Sequence, residues 1–200
     1  MKLVVDCRWV TDDPDDQLSR TTRGLVHALA ERRPFVMLVG PKTALDLLPA
    51  LPWELLPSPY SPLEVLTGRK LASIGADVVF TPAPGLMGVG HRFGLLAAAG
   101  TPHVAEHAGL LDRIQTWPWR FRFTRSWMMR SADVVLGVSG AQQRVLLADS
   151  RSGQQVVTLH TGDATSVSPD AWRESAAQLD ALVDEVYAAV RERRDAAASS

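Results

Sequence analysis

Short apolar runs alternate with amphipathic stretches along this 200-residue chain. "KLVVD" (Lys2 to Asp6), "FVMLV" (Phe35 to Val39) and "DVVFTP" (Asp77 to Pro82) have the length and branching of buried strands. "PHVAE" (Pro102 to Glu106), "DVVLGVS" (Asp133 to Ser139) and "QVVTL" (Gln155 to Leu159) read the same way, and "WELL" (Trp53 to Leu56) is a further candidate strand. Between them, Leu18, Thr22, Leu25, Val26 and Leu29 share one helical face, and Pro34 stops that helix. Helices are also expected over Leu63 to Ile74, Phe93 to Ala99 (ended by Gly100), Pro118 to Arg130, Ala141 to Ala148 and Pro169 to Arg193. In the last of these, Trp172, Ala176, Leu179, Val183, Val186 and Val190 recur at alternating steps of four and three, the mark of one buried stripe. Ser168 and Pro169 supply its cap and first-turn proline.

Strands alternating with helices imply an α/β fold, a Rossmann-like three-layer sandwich with a mainly parallel sheet. In such sheets a ligand crevice lies outside the carboxyl ends of the strands, which points to the loops after Val5, Thr81, Glu106 and Val138. The expected organisation is residues 1–164 as that domain, 165–194 as a long helix packed back on it, and 195–200 as a disordered tail. Composition narrows the partners. With 21 basic and 22 acidic residues there is no global positive field, so nucleic acid is not an expected partner. The single cysteine excludes an internal disulfide and fits a reducing compartment. "MKLVVD" reaches Asp6 too soon for a signal-peptide core, and no run approaches the roughly 18 apolar residues of a spanning helix, so a cytoplasmic location is expected.

Several segments then fall into a recognisable order. "DCRWV" leads to "SRTTRGLVHALAER", "ADVVFTP" follows, then "GTPHVAEHAGLL", "FRFTRSWMMRSADVVLGVSGAQQRVLL" and "VVTLHTGDA". In order and spacing these resemble the amino-terminal half of a family 4 retaining glycosyltransferase. The resemblance implies a GT-B architecture, in which two Rossmann-like domains face each other, one holding the acceptor and the other the nucleotide-sugar. Here "SVSPDAWRESAAQLDALVDEVYAAV" follows soon after Gly162 and is similar to the family's last helix, which returns to the first domain. The donor domain between them is missing on this reading. The family's Glu-x7-Glu donor pattern is absent as well.

The turn after the first strand, "VTDDPDDQLSRTTRG" (Val10 to Gly24), departs from the family's glycine-rich loop. It carries Asp12, Asp13, Asp15 and Asp16, and no glycine stands between Met1 and Arg23. A phosphate needs backbone N–H groups free of Cβ atoms, and carboxylates repel it. A solvated acidic turn is therefore expected. A divalent-metal site from Asp12, Asp13 and Asp15 is the weaker alternative, because a calcium loop's glycine and terminal glutamate are missing.

The resemblance implies three acceptor-side candidates: His107, Arg20 and Ser139. His107 matches a family histidine, but Ala108 stands where an aspartate should follow. A structural loop histidine is the competing reading, and zinc at His103 and His107 lacks further ligands. "GVSGA" (Gly137 to Ala141) imitates a nucleophile elbow, yet Ser139 with Gln142 also reads as a capping box. Residues Trp117 to Arg130 form the densest aromatic and basic stretch. Core packing explains it, and contact with an anionic membrane surface or a partner domain is the alternative. No confident catalytic residue, metal site or cofactor follows. The expected function is that of a glycosyltransferase-like acceptor domain, inactive alone or completed by a donor-domain protein. The alternatives are a non-catalytic binding module, with a homodimer as one form, and an engineered isolated domain.

Overall fold

The computed structural model describes residues 1–59, 61–83, 92–100, 126, 130–137, 146, 154–159 and 168–199. Within them lie seven strands: β1 (Leu3–Asp6), β2 (Val36–Val39), β3 (Trp53–Leu55), β4 (Val78–Thr81), β5 (Gly94–Ala98), β6 (Val134–Gly137) and β7 (Gln155–Thr158). They pair in one all-parallel sheet of order β3-β2-β1-β4-β5-β6-β7. The described α-helices are α1 (Gln17–Ala30), α2 (Thr67–Ser73) and α3 (Pro169–Ala198).

Helices cover both faces of the sheet. Leu3, Val5, Val78, Phe80, Leu96 and Ala98 point to one side and join α1 and α3 in a single apolar cluster. The intervening Val4, Val79, Leu95, Ala97 and Val135 point to the other, where they meet Leu71 of α2 and Leu146. This two-residue alternation, apolar in both directions, is what a sheet buried on both faces requires. Handedness explains the placement of α1 and α2. The β1→β2 and β3→β4 connections advance in opposite directions along the sheet, and right-handed crossovers then put their helices on opposite faces.

α3 packs on the α1 side of β4 and β5. Its expected stripe is its buried face: Ala176, Leu179, Val183, Val186 and Val190 are almost inaccessible, with Trp172 packed at the cluster's margin. The Trp172 ring lies over Gly24 of α1, where an added Cβ would fall 2.5 Å from Cε2. A Cβ at Gly94, the first residue of β5, would collide with Val186. Arg32 reaches Asp180 at 3.2 Å, Arg33 pairs with Asp180 and Asp184, and Arg194 reaches Asp77 at 3.0 Å.

Three expectations change. Phe93 to Ala99, read as a helix because leucine and alanine favour one and Gly100 follows, contains the central strand β5. All five strand residues are buried between neighbours on both sides, so tertiary pairing overrides a weak local preference. α3 also continues to Ala198, through most of the stretch taken for a disordered tail, with Arg193 and Arg194 anchored to Asp133 and Asp77. Leu63 to Ile74 divides into a 3₁₀ segment, Pro62–Leu66, running into α2. The strand expected at 102–106 lies outside the described residues, as do most of the helices expected at 118–130 and 141–148.

Candidate functional site

Strand order reverses between β1 and β4, so their carboxyl ends flank the topological switch point, where ligands of open α/β sheets bind. Asp6 ends β1 and Thr81 ends β4. The chain turns sharply after Asp6, with the Val10 N–H donating to the Cys7 carbonyl at 3.0 Å. That turn brings Arg8 back over its own strand end.

All five N–H donors of the Arg8 guanidinium are engaged. Nε donates to Asp6 Oδ1 at 2.8 Å, and Nη2 to Asp6 Oδ2 and Glu64 Oε1, both at 3.0 Å. Nη1 donates to Glu64 Oε2 at 2.6 Å and to the Pro57 carbonyl at 3.0 Å. The carboxylates are filled in turn. Asp6 also accepts from Trp9 Nε1 at 3.2 Å and Thr81 Oγ1 at 3.3 Å, and Glu64 accepts from Thr67 Oγ1 at 3.0 Å. The three charged side chains are wholly inaccessible. Above them Trp9, Leu18 and Ala83 form a small buried apolar cluster. Gly100 allows this close packing, since a Cβ there would sit 2.5 Å from Leu18 Cδ1.

Two carboxylates share one guanidinium. Burial by itself favours a neutral Arg8, but Asp6 and Glu64 outweigh it and hold the charge firmly. Burial pushes the Glu64 carboxyl above its ordinary range, with Arg8 opposing the shift. Burial, helped by Asp6, likewise holds the Cys7 thiol protonated. Every polar atom of Arg8 and both carboxylates has a partner, so the cluster offers no free base, acid or anion-binding donor.

The acidic turn is closed as well. Asp16 is buried and caps α1: its Oδ1 accepts from the Leu18 N–H at 3.0 Å and the Ser19 N–H at 3.2 Å. Those are the groups that a phosphate would meet at this helix end. Asp13 Oδ1 accepts from the Asp15 N–H at 2.9 Å, and Ser19 Oγ exchanges bonds with the Thr11 backbone, both at 2.9 Å. The expected solvated turn is therefore solvated only in part, at Asp12 and Asp15. Among the described residues no group of three or more His, Cys, Asp or Glu side chains could hold a metal ion, and no helix is long and apolar enough to cross a membrane.

Of the three candidates, Arg20 lies in the first turn of α1 with an exposed side chain and takes no part in the Arg8 network. His107, Ser139 and the Trp117–Arg130 stretch lie outside the described residues, apart from the helical backbone of Ser126 and Arg130. Reading site residues from sequence missed the network. Asp6 and Arg8 stand in the "DCR" opening quoted above, but nothing around Glu64 marks it as their partner.

The fold and this strand-end cluster define a Rossmann-like α/β protein in which, among the described residues, side chains of the chain itself occupy the switch point. Neither protein-family models nor curated proteins give a match to the chain.

Proposed function

We propose that this chain is a glycosyltransferase-related, acceptor-side domain of GT-B type that transfers no sugar unaided and acts with a separate donor-binding partner. The supporting observation is the closed amino terminus of α1. A Rossmann-type diphosphate site needs free N–H groups after the first strand, and here the Asp16 carboxylate already takes two of them. A donor phosphate would have to displace that buried carboxylate and then sit beside it. The chain between β7 and α3, residues 159–168, is also too short to hold a second nucleotide-binding layer. Group transfer needs donor and acceptor held together, so one half alone lacks the positioning that drives the reaction.

Titration calorimetry against a panel of nucleoside diphosphate sugars tests this. The expected result is no saturable binding by the chain alone, and micromolar binding of any member would overturn the reading. The saturated Arg8 network favours a second reading, a non-catalytic interaction module, since no group in it is left to act on a substrate. Recovery of sugar transfer on adding a donor-type partner would separate the first reading from the second.

A further inference from the structure

A cavity of about 700 Å³, in the range of small-molecule sites, lies at the amino-terminal end of the sheet. It sits between the last turns of α3 and the residues that lead into β5. Phe93 and Val190 are buried and form its floor, while Arg92, Arg193 and Arg194 stand exposed around the rim. Ala197 and the methylene stems of the arginines add apolar wall. Among the described residues no carboxylate lines it. Glu192 and Asp195 fall on the other side of α3. Arg193 Nη2 donates to Asp133 at 2.8 Å, Arg194 Nη1 to Asp77 at 3.0 Å, and Arg194 Nη2 to the Arg92 carbonyl at 2.9 Å. Among the described residues, Arg193 Nε and Nη1 and Arg194 Nε have no acceptor, and no carboxylate pairs with Arg92. The carbonyls at a helix carboxyl terminus repel anions, but Ser199 occupies two of these. Its N–H donates to the Ala196 carbonyl at 3.3 Å and its Oγ to the Asp195 carbonyl at 2.9 Å.

We propose that this cavity binds an organic anion, its carboxylate or phosphate head group at the arginine rim and its apolar body along Phe93, Val190 and Ala197. This goes beyond the functional reading above and does not rest on it, since the cavity and the switch point lie at opposite ends of the sheet. Charge selects the sign of the ligand. Asp77 and Asp133 balance two of the three guanidinium groups, and Arg92 remains as the surplus. Arg193 and Arg194 need not leave their aspartates, because each keeps an N–H for the head group. A guanidinium matches the paired oxygens of a carboxylate or phosphate. A cation would instead face three like charges. The apolar floor and wall select the body, because a bare inorganic ion would leave that surface in water.

Titration calorimetry with octyl phosphate and with decanoate, each below micelle formation, should show saturable binding that weakens with salt. Arg92→Gln, at an exposed position, should raise the dissociation constant by at least about tenfold, with an unchanged circular dichroism spectrum. Arg191→Gln, on the same helix but outside the cavity, should change it by less than about twofold. Inorganic phosphate should bind at least about tenfold more weakly than octyl phosphate, because it buries no chain. Vesicles of phosphatidylcholine doped with phosphatidic acid distinguish two sources of the head group. Capture on them that depends on Arg92 supports the site with a lipid as its ligand. No capture, with octyl phosphate bound, supports it with a soluble ligand. No saturable binding of either soluble probe overturns the proposal, as does binding that Arg92→Gln leaves unchanged. So does inorganic phosphate held as tightly as octyl phosphate.

Discussion

Two sets of arginine–carboxylate contacts act on this fold, in opposite surroundings. At the carboxyl end of the sheet, Arg8, Asp6 and Glu64 meet with no solvent access. At the amino-terminal end, Arg193 and Arg194 of α3 hold Asp133 and Asp77 with the arginines 60% and 48% exposed. The chemistry is the same and the energetics are not. Water screens the second set, and breaking an exposed pair lets both ends resolvate. The first set has no water to return to, so loss of one member strands the others. α3 is therefore held mainly by its apolar stripe and oriented by its ion pairs, whereas the switch point is held by its polar network itself.

The comparison breaks first at Arg8. Arg8→Met should cost about 3–5 kcal/mol in chemical denaturation, because it leaves two buried carboxylates unpaired. Adding Asp6→Asn and Glu64→Gln should return part of that loss. No recovery would mean that packing, and not orphaned charge, sets the cost. Next is the seat of α3. Gly94→Val drives a side chain into Val186 and should cost about 1–3 kcal/mol, read as a lower midpoint with the sheet retained.

pH sharpens the contrast, because the two ends respond with opposite sign. The Glu64 carboxyl is raised by burial, so its contribution is present below its ordinary value of 4.5 and lost as pH rises through the higher folded value. Burial also pushes the Asp77 carboxyl up, but the Lys2 amide, Arg194 and the terminal ammonium outweigh it and the net direction is down. Its contribution is present above its ordinary 3.8 and is lost as pH falls through the folded value. The stability difference between wild type and Glu64→Gln should therefore shrink on going from acid to neutral pH. The difference from Asp77→Asn should grow over the acid range. Parallel slopes for the two variants would contradict the assignment. The smallest effect belongs to Arg194→Ala, under about 1 kcal/mol and smaller still in high salt.

Much of this arrangement was legible from residue order. The short apolar runs identify β1, β2, β4 and β6 because a buried strand must be apolar on both faces, and the same kind of run marks the half-buried edge strand β7. The stripe from Trp172 to Val190 identifies the buried face of α3, and Ser168 with Pro169 sets its start. These are local facts, written in spacings of two to four residues.

Tertiary structure decided the rest. "GLLAA" became a strand because β4 and β6 pair with it from both sides and α3 needs its small side chains. Asp16 became a buried cap once the turn folded onto Ser19. Glu64 became the partner of Arg8 across 56 residues of chain, a contact that no local pattern encodes. Spacing along the chain determines which side chains share a face. Which faces meet, and which charges lose their water in meeting, is determined only when the sheet closes.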